Sequence, residues 1–443
     1  MEKPRVLLMQ PPIYDFALYD LFFKPYGLLR LGSWFERSGY QIDFLNCLDW
    51  QDTRTAEKLG TVKRSSRGTG KFFRQPAKLP ERVPSISKQY SRYGIVRESI
   101  AEALNTFRPD LVCITTGMTY WYQGVIEAAE MIHVHAPQAR LILGGIYATL
   151  MPEHAGRVTG ADGVITGEAD RGLPSLLARW GFPPLQGALP AFPLLLPEVW
   201  GSSAGVVRIN TGCPLNCDYC ASSVIDPEFC KGDPEKAFSF IEELNNKFGT
   251  VHVGFYDDAL LVNRHDVLFP FLERAAASVI DWCFYTPNAV HINLIDREAA
   301  FLMKKAGFQE VRLGFESSSN LFHLQHDNKF TSSDFSQAVE ALTSAGFLQH
   351  QLPVYVLAGL PGQTKREVEH SIREAAASGV SVSIAEFSPV PGTPAWEKTV
   401  TSCPYPIEDE PLFHNNSFQP TAWEGLTRDD MQELKETARS TRG

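Results

Sequence analysis

The 443-residue chain has no apolar run of bilayer-spanning length. Its most apolar stretch, 189–200, is broken by Pro190, Pro193 and Pro197. The leading residues Met1-Glu2-Lys3-Pro4 run into the short apolar segment Val6-Leu7-Leu8, with neither the long apolar region nor the small-residue cleavage site of a secretory signal. A cytoplasmic protein is therefore expected, with no membrane partner. Cysteine is scarce, eight in the chain, which excludes a disulfide scaffold. An excess of positive charge is also lacking: the net charge of −10 argues against a general nucleic-acid binder. No repeat at solenoid spacing is present. The local exception in charge is about 51–97, rich in Lys and Arg with Gly, Ser and Pro, which reads as a solvated, irregular insertion.

What is there is concentrated. Three of the eight cysteines fall in Cys213-Pro214-Leu215-Asn216-Cys217-Asp218-Tyr219-Cys220. Three thiolates so spaced can hold three corners of a [4Fe-4S] cube and leave one iron without a protein ligand. They can equally belong to a zinc site, for which Cys230 is the nearby candidate for a fourth ligand. The spacing alone leaves both open. The unpaired Cys230, Cys283 and Cys403 are otherwise expected to be buried small hydrophobes.

The pattern around this loop is α/β. Apolar runs at 5–9, 41–45, 111–115, 140–145 and 163–166 alternate with helical periods at 26–38, 99–106 and 123–135. Strands buried on both faces between amphipathic helices predict a doubly wound, Rossmann-like parallel sheet over 1–172. Ligands of such sheets lie beyond the carboxyl ends of the strands, where Thr115, Gly144 and Gly145 fall. The Pro-rich segment 173–204 reads as a linker. Over 205–402 strand signals at 206–208, 251–255, 282–285, 311–315, 353–357 and 381–387 alternate with five helices. Six such repeats predict a partial (β/α)6 barrel, followed by a tail over 403–443 with one short helix.

Catalytic groups of a β/α barrel lie at the carboxyl ends of its strands. The first strand leads into the cysteine loop. The second ends in Asp257-Asp258, adjacent carboxylates that need a cationic partner if buried. Asn288 follows the third, Gly314-Phe315-Glu316-Ser317 ends the fourth, and Gly359-Leu360-Pro361-Gly362 follows the fifth, with glycines that let backbone approach an adenine closely. Pro391-Gly392-Thr393-Pro394 follows the sixth. Each is also an ordinary turn composition; their order after the cysteine loop is what points to a site.

Together these motifs resemble the core of the radical S-adenosylmethionine (SAM) enzymes, in the branch with an N-terminal cobalamin-binding-like domain. The resemblance implies that Cys213, Cys217 and Cys220 ligate a [4Fe-4S] cluster whose open iron chelates SAM, and that Tyr219 lies near the adenine. It places Asp257 and Asp258 where the family binds the SAM amino group, although Gly-Gly-Glu is the commoner form there, and makes Asn288 and Glu316 contacts of SAM or substrate. Gly144-Gly145-Ile146-Tyr147-Ala148-Thr149 and Gly167-Glu168-Ala169-Asp170 carry the likeness of 1–172 to the cobalamin domain. No Asp-x-His-x-x-Gly occurs, so no histidine is marked as a lower cobalt ligand. The implied reaction is reductive cleavage of SAM to a 5′-deoxyadenosyl radical, with methylation or rearrangement of a small-molecule substrate when cobalamin is bound. A donor such as flavodoxin or ferredoxin would supply the electron. A tRNA-modifying, methylthiotransferase-like enzyme is the second reading, weakened by the missing second three-cysteine set. A non-catalytic, zinc-stabilised binding protein is the third.

Overall fold

The computed structural model describes residues 3–201 and 204–441. Two compact units emerge, Met1–Ser202 with Ile407–Ser417, and Ser203–Pro406 with Phe418–Gly443. The first contains β1 (Arg5–Gln10), β2 (Ile13–Asp15), β3 (Gln41–Asn46), β4 (Arg74–Pro76), β5 (Ser91–Tyr93), β6 (Leu111–Thr116), β7 (Arg140–Gly145) and β8 (Gly163–Val164). Five of them form a parallel sheet in the order β3-β1-β6-β7-β8. Val6 to Met9 and Leu111 to Ile114 are all buried, so these central strands lose both faces from water and read as unbroken apolar runs. The strand order reverses between β1 and β6, which opens a crevice at their carboxyl ends.

The basic insertion is irregular over much of its length but contains ordered elements. Asp52 caps the helix Thr53–Leu59 by accepting from Thr55 N at 2.7 Å, and β4 and β5 join β2 in a small antiparallel sheet. Some of its charges are paired: Arg92 with buried Glu127 at 2.7 Å, Lys58 with Glu98 at 2.8 Å. The segment 173–204 is not a free linker. Trp34 Nε1 donates to the carbonyls of Gln186 and Gly187, Arg30 Nε to that of Pro190, and Trp200 is wholly buried. The 403–443 tail is divided. Its residues 407–417 belong to the first unit, where Tyr122 donates to Glu410 at 2.7 Å and Asn415 to Asp15 at 2.9 Å.

The second unit contains β9 (Ala204–Val207), β10 (His252–Phe255), β11 (Cys283–Tyr285), β12 (Phe308–Glu310), β13 (Leu313–Glu316), β14 (Val354–Ala358) and β15 (Val382–Glu386). They pair in parallel and in sequence order as β9-β10-β11-β12 and β13-β14-β15, with a Val290–Leu313 bridge between the two sets. β13 falls on the fourth expected strand, 311–315, and is split from an additional short strand, β12, just before it. The split falls at Arg312, whose N–H donates to Thr286 Oγ1 at 2.8 Å and whose Nε returns to Glu310 at 2.6 Å. Asp233, Asp296 and Thr364 cap three of the intervening helices, satisfying first-turn N–H groups. Phe238, Phe255, Phe271, Phe284 and Phe308 are fully buried between strands and helices, with ring centroids 5.4–5.6 Å apart in five of their pairs. Such pairs add about 0.5–1.5 kcal/mol each beyond burial. A helix over Asn320–His326, which the sequence pattern did not indicate, follows β13. No helix among the described residues is long and apolar enough to cross a membrane.

Candidate active site

The cysteine loop leaves the carboxyl end of β9 and is pinned at once. Asp257, just past β10, accepts from the backbone N–H of Ile209 at 3.0 Å and of Asn210 at 2.7 Å. It is 3% exposed, and burial pushes its pKa up to about 6 against these hydrogen bonds. Gly212 turns the chain with φ +75, where a Cβ would lie 2.7 Å from the Glu228 carbonyl, so only glycine fits. Thr211 then exchanges backbone hydrogen bonds with Cys230 at 3.0 and 2.9 Å.

The three thiols are free and perturb one another electrostatically. Burial raises the pKa of Cys213 and pushes that of Cys217 up to about 12, while the charge of Lys329 opposes both shifts. Among the described residues, no three His, Cys, Asp or Glu side chains converge as the ligands of a single ion do. Cys230 is exposed, and Cys283 and Cys403 are half-buried, so the expectation of buried hydrophobes is wrong for them. Cys230 meets the loop through its backbone, which bridges to Thr211.

The helix Asn320–His326 clamps the loop from the side of β13. His326 Nδ1 lies 2.8 Å from Asp218 Oδ2, and Asp218 N donates to the His326 carbonyl at 2.9 Å. Tyr219 donates to Asp327 Oδ2 at 2.7 Å; the other carboxylate oxygen is 2.8 Å from His323 Nδ1. Tyr219 packs beside Leu357, Leu360 and Phe387, residues at the ends of β14 and β15. Lys329 stands 5.4 Å from the Tyr219 ring centroid and donates to Glu316 at 3.0 Å. Glu316 itself has φ +56, a left-handed conformation costly for a residue with a Cβ and most often kept at functional sites.

The other expected residues divide. Asp258 is exposed and accepts from Ser222 Oγ at 3.1 Å, and Ser222 Oγ lies 3.2 Å from Cys220 Sγ, so this carboxylate faces the cluster side while Asp257 is committed to backbone. The two were expected to act together on one amino group. Asn288 is exposed and donates to the Tyr256 carbonyl at 3.3 Å. Gly359 and Gly362 have φ +101 and +83. Gln363 folds back on this loop, accepting from Gly359 N at 2.8 Å and donating to the Leu357 carbonyl at 3.1 Å. The C-terminal segment braces the same loop through Thr421 to Gly359 O at 2.5 Å and Trp423 Nε1 to Gln363 O at 2.9 Å. His323, Asp327, Lys329, Thr421 and Trp423 were not foreseen, and none of them lies in a motif. Gln363 belongs to the run 359–364 that follows the fifth expected strand, but its part in bracing that loop was not read from it.

In the first unit, Gly145 ends β7 with φ +85, where a Cβ would collide with Thr115 Oγ1. Thr149 Oγ1 donates to the Gly145 carbonyl at 2.9 Å and accepts from Gly167 N at 2.9 Å, tying the two Gly-rich segments together. A Cβ on Gly144 would meet no atom within 4 Å, so the strand end offers open backbone to a flat ligand, which suits cobalamin. His154 lies between these segments in the chain, but its Nδ1 is 2.6 Å from Tyr147 Oη and burial pushes its pKa down to about 4.

Residues 207–375 match the radical SAM superfamily and residues 87–177 match the B12 binding domain. An uncharacterized methyltransferase of Pyrococcus horikoshii is 25% identical over 341 residues, 68% of this chain and 72% of the relative. The radical SAM methyltransferase TsrM of Kitasatospora setae, solved with cobalamin and a [4Fe-4S] cluster bound, has the same fold at a TM-score of 0.69 and 14% identity, over 99% of this chain and 89% of that one. The cobalamin-dependent SAM radical enzyme OxsB shares the fold at a TM-score of 0.58 and 11% identity, over 100% of this chain and 62% of that one.

Proposed function

We propose, from the premise that this chain is a radical SAM protein carrying a B12 binding domain, that it is a cobalamin-dependent methyltransferase of a small-molecule substrate. The observation that supports it most is the cysteine loop, with three free thiols on a backbone pinned by Asp257 in one unit, while the B12 binding domain occupies the other. The methyltransferase naming of the Pyrococcus relative points the same way. When bound, the cluster would supply one electron for cleavage of SAM, and cobalamin a carrier for the methyl group.

The chain's own residues bind and orient. Cys213, Cys217 and Cys220 would hold the cluster. Tyr219, Asp258, Asn288 and Glu316, with the backbone at Gly359 and Gly362, would contact SAM. Thr115, Gly144 and Gly145 would border the corrin. Asp257 is assigned to the loop backbone and not to SAM. Cys217 is buried and Tyr219 half-buried, which limits water on that side of the loop. A reductant of the flavodoxin or ferredoxin type and a cytoplasmic setting fit a thiolate-held cluster. The methylthiotransferase reading loses ground because Cys47 and Cys113 are each buried in the first unit.

Anaerobically reconstituted protein supplied with hydroxocobalamin, SAM and a reductant tests this. It should show cluster and cobalamin absorption and release 5′-deoxyadenosine or S-adenosylhomocysteine. A cluster-loaded sample that binds no cobalamin and releases neither product refutes the proposal.

A further inference from the structure

Lys329 lies just past the helix Asn320–His326, where Asn328 with φ +50 turns the chain back toward the strand ends. Its side chain is 11% exposed and pairs with Glu316, 13% exposed, at 3.0 Å. The same ammonium stands 5.4 Å from the ring of Tyr219, which sits between Cys217 and Cys220 in the loop. The cation therefore reaches the loop from the β13 side, and both Cys213 and Cys217 feel its charge. Asp327 also faces it but is shared between Tyr219 and His323. His291, nearby, is held neutral, its pKa pushed down to about 4 by burial and by Lys329. Where water is largely excluded, opposite charges at different places cancel only in part at a third group.

We propose that Lys329 and Glu316 are an opposed pair of charges that sets how readily the cluster held by Cys213, Cys217 and Cys220 takes up its electron. The inference rests on the radical SAM reading above. In the step concerned, one electron passes from the reductant to the cluster, no bond in the protein forms or breaks, and the thiolate-bound group becomes one unit more negative. A fixed cation beside it favours that added charge, and a fixed carboxylate opposes it. Lys329 is a positioning and tuning residue and takes no part in bond chemistry.

The test is a redox titration of the full-length, cluster-loaded protein without SAM, followed by electron paramagnetic resonance of the reduced cluster. At a fixed solution potential the reduced-to-oxidised ratio should fall by about tenfold in Lys329→Met, as expected for removing a poorly screened charge. It should rise in Glu316→Gln and return close to wild type in Lys329→Arg. An unchanged ratio in Lys329→Met, or shifts of the same sign in Lys329→Met and Glu316→Gln, overturns the inference, because general loosening of the loop would move both alike. Should Lys329→Met take up too little iron to titrate, Glu316→Gln decides: a rise supports the pair and no rise overturns it. A wild type that holds no cluster refutes the functional reading and this inference with it. A wild type that cleaves SAM while its variants titrate alike refutes only the inference.

Discussion

Replacing Asp257 should unfasten the cysteine loop without touching SAM chemistry directly. Its carboxylate is the acceptor for two backbone N–H groups, Ile209 at 3.0 Å and Asn210 at 2.7 Å, in a site 3% exposed. A hydrogen bond to a charged group contributes about 1.5–3 kcal/mol, and a buried donor left without a partner costs a similar amount. Asp257→Ala removes both acceptors, so the ordered loop should lose about 3–6 kcal/mol relative to its open forms. Even the lower figure is about two decades in a local opening equilibrium. Asp257→Asn keeps one acceptor oxygen and should lose about half as much. Hydrogen–deuterium exchange of the peptide covering 207–221 reads this directly, with iron content after anaerobic reconstitution as the second measure. Exchange should accelerate by about 100-fold in Asp257→Ala and about tenfold in Asp257→Asn, with iron falling in the same order. The neighbouring Asp258→Asn should leave exchange unchanged and weaken SAM binding. Wild-type exchange and iron content in Asp257→Ala would refute the reasoning.

At the B12-binding end, Gly145→Ala should destabilise the first unit by about 2 kcal/mol or more, since φ +85 and the Thr115 hydroxyl both oppose a Cβ. Gly144→Ala should leave the melting temperature alone yet weaken hydroxocobalamin binding; equal melting temperatures for the two variants would contradict this. Trp423→Phe deletes the 2.9 Å bond to Gln363 and should weaken SAM binding about fivefold, measured by equilibrium dialysis, for a loss of about 1 kcal/mol. Acid should loosen the first unit through His154 and His414, both pushed down to about 4 by burial. Their folded pKa lies below the unfolded value, so the unfolded chain binds more protons in that window. The stability they confer is complete above about pH 6.5 and is lost as pH falls toward 4, by up to about 3 kcal/mol each. His414→Gln should flatten that slope in urea melts, and an unchanged slope would show that His414 is not protonated on unfolding.

The parallel strands were legible because burial on both faces forces contiguous apolar runs, as in Val6–Met9 and Leu111–Ile114. Helix starts were legible at Asp233, Asp296 and Thr364, whose side chains cap first turns. The short strands of the insertion went unread because β4 and β5 are three residues each and carry arginines held by side-chain bonds, Arg74 to Ser91 and Arg92 to Glu127. The split between β12 and β13 escaped notice because Arg312 leaves the ladder through side-chain bonds, which periodicity does not register.

Sequence alone determined the chemistry that depends on local spacing. Three thiols within eight residues, and glycines where φ is positive, follow from bonds close along the chain. Tertiary structure decided what depends on residues far apart in the chain. Adjacent carboxylates turned to different partners, Asp257 to the loop backbone and Asp258 to Ser222. Lys329 became the cation beside the cysteines only when the turn after β13 carried it 109 residues along the chain from Cys220 to the loop. A charge acts through distance in space, and that distance is set by the fold.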